Sequence, residues 1–326
     1  MRKFVVSVLL VTPITFVLLA SFTSLTACAQ QKVPLTYGFS SDVGRQTIHY
    51  ALSRGLVRSD AVEVKLFPQS IDALVVALGT KRYEVLETSS FGFLAARSRG
   101  VNLVIIGKGY RTIDGQYILV SKDSPLQGPQ ELRGKRVAIT ALGSTSVGLL
   151  RLVLKHKYQL NVDNVRWQEI PMSNISTVIN RGQAEAGYTF QTASYRSLKT
   201  GLFKVLINVS KEFEELFKIE YIPSVFVTYR DVVEKSPAAI REFQRLLAAS
   251  IEYGRAHANE VIPQIVKERG LDPEMLQKWI DWNVGGGRLS DADIAAYQRQ
   301  WKLAQDSGIL PAQEVTADMF WKGFWE

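Results

Sequence analysis

The sequence predicts a two-lobed α/β protein with a helical C-terminal tail, and three observations carry that expectation. From Val33 onward, short apolar runs alternate with amphipathic helical patterns, the signature of strands followed by helices. The rhythm changes after Tyr117 to Val120, where Ser124-Pro125 and Gly128-Pro129 punctuate the chain, and a second strand-turn-helix series begins at Lys135. From Ser236-Pro237 the pattern is almost wholly helical, with Ile240, Phe243, Leu246, Leu247 and Ile251 on one face. A chain of 326 residues has room for two domains of about 100–200 residues each. The expected division is 33–118 plus 229–326 for one lobe with its helical tail, and 119–228 for an inserted second lobe. Ordered strands near 115–120 and 222–228 are expected to cross between them as a two-strand hinge.

The elements follow in order. Met1-Arg2-Lys3 gives a positive start, and the apolar stretch Phe4 to Leu19, interrupted by Pro13 and hydroxyls, reads as the core of an export signal covering 1–27. Leu25-Thr26-Ala27-Cys28 is similar to a bacterial lipobox, which would make Cys28 the acylated first residue of a lipoprotein held on a membrane. Cys28 is the only cysteine, so an intramolecular disulfide and a cysteine metal cluster are excluded.

Val33 to Phe39 reads as a strand, with Ser40-Ser41-Asp42 before a helix through Ile48 to Leu52. Val62 to Phe67 is the second strand, and Ser70 is placed to cap a helix burying Ile71, Leu74, Val75 and Leu78. Tyr83 to Leu86 and Val101 to Ile106 are further strands, with Ser89-Ser90 opening a helix between them. In the second series the strands are Lys135 to Thr140, Val165 to Ile170, Ala186 to Phe190 and Phe203 to Asn208, with Pro223 to Thr228 extended.

The formal net charge is +8, and removing Arg2 and Lys3 of the expected leader leaves +6. Basic residues are scattered among acidic ones, and no Lys/Arg tract interleaves with aromatics, so nucleic acid is not indicated; the excess reads as solvation and attraction to anions.

The turn Gly143-Ser144-Thr145-Ser146 follows a strand and opens a helix, a geometry that suits an anion and equally suits a hydroxyl capping its own helix. A nucleophile elbow fails, because Ser146 has Gly148 after it but Ser144 before it. A phosphate loop fails as well: five residues separate Gly128 from Gly134-Lys135, and Arg136 stands where Ser or Thr is needed. His49, His156 and His257 are isolated, with no zinc-ligand spacing. Glu214-Glu215 falls in a charged helical stretch. Trp279, Trp282, Trp301, Trp321 and Trp325 fit helix packing better than a sugar platform, since most recur with apolar residues at helical spacing.

Ile71-Asp72-Ala73-Leu74-Val75-Val76-Ala77-Leu78-Gly79, Ser121 to Pro125 with Leu132 to Ala138, Gly143-Ser144-Thr145, and Asp231 to Ile240 carry a resemblance. Over 33–326, and most strongly over 33–230, the chain resembles the periplasmic solute-binding proteins of ABC importers, in the group that includes nitrate, sulfonate, taurine and thiamine-precursor binders. It departs from that group's Gly-x-x-Asp pattern, with Glu84 and Glu185 as the acids. The resemblance implies a type II-like periplasmic-binding-protein fold closing on a small molecule, an ABC permease and ATPase as partners, a periplasmic or cell-surface location, and neither cofactor, metal nor catalytic residue. The candidate ligand contacts are Ser40, Ser41 and Asp42; Gln69 and Ser70; Thr88, Ser89 and Ser90; Gly143, Ser144 and Thr145; and Thr189 and Gln191. Tyr110, Phe190 and Tyr221 would be apolar walls or core. The helix-terminus turn favours a sulfonate, nitrate or carboxylate, whereas Asp42 and Glu87 leave room for an amine or a heterocyclic base. A lipid-anchored enzyme and a non-transport sensor on the same fold are the alternatives.

Overall fold

Two strand-helix series along the chain build two separate five-stranded sheets, described over residues 31–323 of a computed structural model. The expected leader and Cys28 lie outside the described residues, and the compact unit begins at Lys32. The first series comprises β1 (Val33–Ser40), α1 (Arg45–Ser53), β2 (Val62–Gln69), α2 (Ile71–Thr80), β3 (Val85–Ser89), α3 (Ser90–Ser98), β4 (Leu103–Lys108) and β5 (Arg111–Thr112). The second comprises β6 (Gln116–Ser121), β7 (Arg136–Ile139), α4 (Thr145–Tyr158), β8 (Arg166–Glu169), α5 (Ile175–Asn180), β9 (Ala186–Phe190), α6 (Thr192–Lys199), β10 (Phe203–Asn208) and α7 (Val209–Phe217). The chain then returns through β11 (Ser224–Tyr229), α8 (Arg230–Lys235), α9 (Pro237–Ala256), α10 (Ala258–Arg269), α11 (Pro273–Trp282), β12 (Asn283–Val284) and α12 (Asp291–Asp306).

The first sheet runs β2-β1-β3-β11-β4, with β11 antiparallel between β3 and β4. The second runs β10-β6-β9-β7-β8, parallel at β8-β7-β9 and antiparallel at β9-β6-β10. Parallel strands put helices on the sheet faces, and the near-continuous burial of β4 and β7 follows from that. The two acids that replaced the family's Asp do matching work. Glu84 accepts the Thr36 N–H of β1 at 2.7 Å, and Glu185 accepts the Arg136 N–H of β7 at 2.7 Å. Arg136 beside Glu185 holds that carboxyl down at about 2.

The crossings differ from the expectation. β6 pairs wholly within the second sheet from Gln116, and β11 wholly within the first from Ser224, so the passages between the sheets lie at 113–115 and 218–223. Gly115, at φ +81, makes the first of these turns, and the Trp282 ring would collide with any Cβ there. Beside it, β5 pairs with β12 from the tail, a connection the sequence does not announce.

The tail also spreads further than one lobe. α9 buries the expected stripe of Ile240, Phe243, Leu246, Leu247 and Ile251 under the first sheet. A second apolar core runs from Leu86 and Ile105 through Phe91 of α3 and Leu149 of α4 to Ile118 and Val137, and takes in Tyr297 and Trp301 of α12. The two lobes are therefore joined on this side by packed apolar surface. Gly148 permits that closeness, because a Cβ there would run into the Phe91 ring. Among the described residues, no helix is long and apolar enough to cross a membrane.

Candidate functional site

Where the strands of both sheets end, helix N-termini from the two lobes converge on one chamber of about 90 Å3. It opens through a neck of Ser40, Ile71, Thr140, Phe190 and Gln191 into a vestibule of about 630 Å3. α3 begins at its cap Ser89, whose hydroxyl accepts the Gly92 N–H at 2.9 Å; α4 begins at Ser144, which accepts from Val147 at 3.4 Å. Thr145 ties the two ends together, its hydroxyl accepting the Phe91 N–H at 2.9 Å and lying 3.2 Å from that of Ser90.

The strongest charges in the chamber are a buried pair. Arg45, the first residue of α1, donates through Nη2 to Oε1 of Glu87 in the middle of β3, and the two are 5% and 2% exposed. The guanidinium carbon sits 4.6 Å from the Tyr110 ring centroid and 5.2 Å from that of Trp279. Arg45 Nε and Nη1, Glu87 Oε2, the Thr88 hydroxyl and the Tyr110 hydroxyl are all buried without a hydrogen-bond partner. Burial pushes the Glu87 carboxyl up, against the opposing pull of the Arg45 charge. Five unmet polar atoms around one cavity are the mark of a site built to receive a polar group. Gln116 completes the floor: its Oε1 accepts the Tyr188 hydroxyl at 2.6 Å, and Tyr221 stacks a further hydroxyl 2.8 Å from that of Tyr188.

The candidate contacts divide into three groups. Ser40, Thr88, Ser89, Tyr110, Ser144, Thr145, Phe190 and Gln191 line the chamber. Ser41, Asp42 and Ser70 line only the vestibule. Gln69, Ser90, Gly143, Thr189 and Tyr221 line neither, for identifiable reasons. Gln69 closes β2 opposite Ser40 in the β1-β2 ladder and lies outside both cavities. Ser90 is buried against Thr145 and Gln300, and Gly143 is exposed on the outer side of its turn. Thr189 points away from the chamber to Ser194, 2.9 Å between hydroxyls, as alternation along β9 requires when Phe190 points in. Tyr221 is wholly buried behind Gln116 and forms support, not wall.

Arg45, Gln116 and the pairing of Glu87 escaped the sequence reading. The one signal for Arg45 was its position: a cation in the first turn opposes the helix dipole, so something other than helix stability keeps it there. Gln116 had no signal, since its role depends on tyrosines far along the chain.

The other singled-out residues have structural partners. Trp279 and Trp301 are fully buried in the cores, while Trp325 lies outside the described residues. Trp279 Nε1 donates to Gln191 Oε1 at 3.3 Å, and Gln191 donates to Asn283 at 3.1 Å, which holds this residue at φ 54 in the chamber neck. Glu214 takes a bidentate pair from Arg111, and His156 lies 2.8 Å from the Ser307 hydroxyl. No group of three metal-ligating side chains occurs among the described residues.

His49 sits beneath Arg45, its Nδ1 3.0 Å from the Arg45 carbonyl and its Nε2 3.3 Å from the Tyr37 hydroxyl. Burial, then the Arg45 charge, brings its pKa down to about 3. An unfolded histidine protonates near 6.5, so between about pH 6.5 and 3 the unfolded chain binds the extra proton and stability falls as pH falls. His49→Gln is expected to flatten that part of the urea-midpoint profile; an unchanged slope between pH 7 and 4 would assign the acid sensitivity elsewhere.

Opposite the apolar seam, polar bonds bridge the lobes. Thr192 donates to Asp42 at 2.6 Å across the vestibule, and Tyr195 and Lys199 of α6 reach Asp272 and Glu274 at the start of α11. Thr192→Val combined with Lys199→Ala is expected to enlarge the ligand-free radius of gyration in small-angle scattering, with little loss of melting temperature because the lysine pair is exposed. A scattering curve identical to wild type would show that these bonds do not hold the lobes together.

Two mixed sheets, each with one strand running against the rest, β11 in the first and β6 in the second, facing each other across a chamber at their strand ends, define a two-lobed periplasmic-binding-protein fold. Residues 35–305 match the family model described as menaquinone biosynthesis, and the chain belongs to that family. It is 22% identical over 263 residues to a putative aliphatic sulfonates-binding protein of Escherichia coli K12, covering 80% of this chain and 78% of that one. The alkanesulfonate-binding protein SsuA of Xanthomonas axonopodis pv. citri, solved with MOPS bound, superposes with a TM-score of 0.74 at 18% identity, over 90% of this chain and 99% of that one. A Candida albicans protein described as having the generic periplasmic binding protein fold gives 0.69 at 15% identity, over 86% and 92%.

Proposed function

We propose that the protein captures a small organic oxyanion, such as an aliphatic sulfonate, between its lobes outside the cytoplasm and passes it to an ABC permease, held at the membrane by acylated Cys28. The observation that carries this reading is the convergence of two capped helix N-termini, one per lobe, on a chamber with buried, unpartnered donors from Arg45, Thr88 and Tyr110. Helix N-termini and a guanidinium favour an anion with several acceptor oxygens. Ile71, Leu74 and Val75 of α2 offer an apolar wall for its carbon chain. The names of the sulfonate-binding relatives agree with that chemistry.

The serines of the chamber are placed for binding more than for attack. Ser89 and Ser144 cap helices, Ser40 lies 3.3 Å from the Asp42 nitrogen, Ser146 faces the Tyr188 and Tyr221 hydroxyls, and Ser224 faces Glu87. The family's description favours a second reading, catalysis in the same chamber, and Glu87 with its raised pKa is then the proton carrier.

A thermal-shift screen of the full chain against alkanesulfonates, nitrate, carboxylates and pyrimidines separates these readings. A ligand at a hundred times its dissociation constant adds about 2.7 kcal/mol, and a saturable rise with one oxyanion class is the expected result. No rise with any oxyanion would overturn the proposal. Recovery of the stabilising compound chemically altered after incubation would move it to the enzymatic reading.

A further inference from the structure

The two passages between the lobes are irregular backbone, and they touch: the Thr112 N–H, just ahead of the first, donates to the Tyr221 carbonyl in the second at 2.9 Å. Charges are laid over this junction in alternating order. Asp293, in the first turn of α12, lies 2.6 Å from the Lys108 ammonium at the end of β4, and Lys108 lies 2.8 Å from one oxygen of Glu220 in the second passage. The other oxygen of Glu220 is 3.6 Å from Arg111 of β5, which makes the bidentate pair with Glu214 of α7. Glu214 in turn accepts the Tyr221 N–H at 2.9 Å. None of these five side chains lines the chamber or the vestibule.

The two ends of this row of charges belong to different lobes. Lys108 and Asp293 fasten the tail to the first sheet, and their side chains are 15% and 14% exposed, so salt screens that pair weakly. Glu214 belongs to the second lobe. Glu220, 40% exposed, is the member through which the two halves meet, and its link to Arg111, 38% exposed, is the longest and the most open to water. A single exposed ion pair contributes little, whereas here each interior charge has opposite charges on both sides. Burial works against the Lys108 charge, but the carboxylates of Asp293 and Glu220 outweigh it and hold the ammonium above its usual range.

We infer that this row of charges is an ionic lock on the hinge with Glu220 as its link: it holds the lobes at the closed angle, at which Thr192 already meets Asp42 across the vestibule, and salt loosens it. The lock is indifferent to what the chamber takes. It sets the closed fraction of the unliganded chain, and the apparent affinity of any ligand of the closed form scales with that fraction.

Small-angle scattering of the unliganded full chain at about 0.01 M and about 1 M sodium chloride tests this, since the screening length falls from about 30 Å to about 3 Å between them. The wild-type radius of gyration is expected to rise with salt. Glu220→Gln is expected to show the larger radius already at low salt and no further change, with the melting temperature recorded to confirm folding. Lys199→Ala separates the lock from the exposed lysine pair on the vestibule side, which salt also screens, and is expected to keep the salt response. A wild-type radius that ignores salt would overturn the inference. So would a Glu220→Gln protein that is as compact as wild type at low salt or still expands as salt is raised.

Discussion

Replacing Arg45 with Met lowers the stability of the folded chain by about 3–5 kcal/mol at neutral pH and removes saturable oxyanion binding, because it leaves Glu87 buried without its counter-charge. The sign of the pH dependence follows from the Glu87 carboxyl. Burial raises its folded pKa above the value in the unfolded chain, and losing Arg45 raises it further. Between the unfolded value, near 4.3, and the folded one, the native state holds the extra proton, so the variant loses stability as pH rises through that window. Its deficit relative to wild type is therefore small near pH 4.5 and largest at alkaline pH. Denaturant titrations of both proteins at pH 4.5, 7 and 8.5 measure it. A deficit that does not change with pH would mean that Arg45 contributes packing against Tyr110 and Trp279 more than charge.

Gly254→Ala is the second large effect, and it acts on the chamber from behind. A Cβ on α9 at this position would press into the Thr47 carbonyl oxygen, with the Thr47 carbonyl carbon 2.9 Å and Ile48 Cα 3.0 Å away. These are backbone atoms of α1, so no rotamer change relieves the contact and the helix itself must shift. Overpacking of a tight contact costs about 1–3 kcal/mol, and occasionally more where backbone has to move. α1 carries Arg45 and His49, so ligand affinity is expected to fall together with stability. Gly79→Ala is the control, since a Cβ there meets nothing within 4 Å. It is expected to leave urea midpoint and affinity unchanged or slightly improved. A Gly254→Ala protein with wild-type midpoint and affinity would show that the α1-α9 contact has slack.

The strand-helix alternation was legible because it depends on local periodicity, and β9 and β10 fall where the apolar runs placed them. The Ser70, Ser89 and Ser144 caps were legible for the same reason: a hydroxyl just before an apolar helix has a local cause. What a cap faces is not local. Ser70 opens on the vestibule, while Ser89 and Ser144 open on the chamber, because α2 starts from the edge strand β2, two strands further out in the sheet than the β3 that leads into α3. Thr189 does not line the chamber because adjacent strand residues point to opposite faces, and proximity in sequence to Phe190 does not say which face is the chamber; Tyr221 takes the core alternative. Beyond its position in the first turn of α1, nothing local marks Arg45. Its meaning comes from Glu87, which lies 42 positions away in the chain and meets it only after β1 and β3 pair.

The measurement that bears most directly on the account is a calorimetric titration of the full chain with the oxyanion that stabilises it best, repeated with Arg45→Met. One site per chain and a negative heat-capacity change from burial of the ligand's carbon chain against α2 are predicted for the wild type, with no saturable heat in the variant. Equal binding by both proteins would place the ligand outside the Arg45–Glu87 chamber and contradict the account.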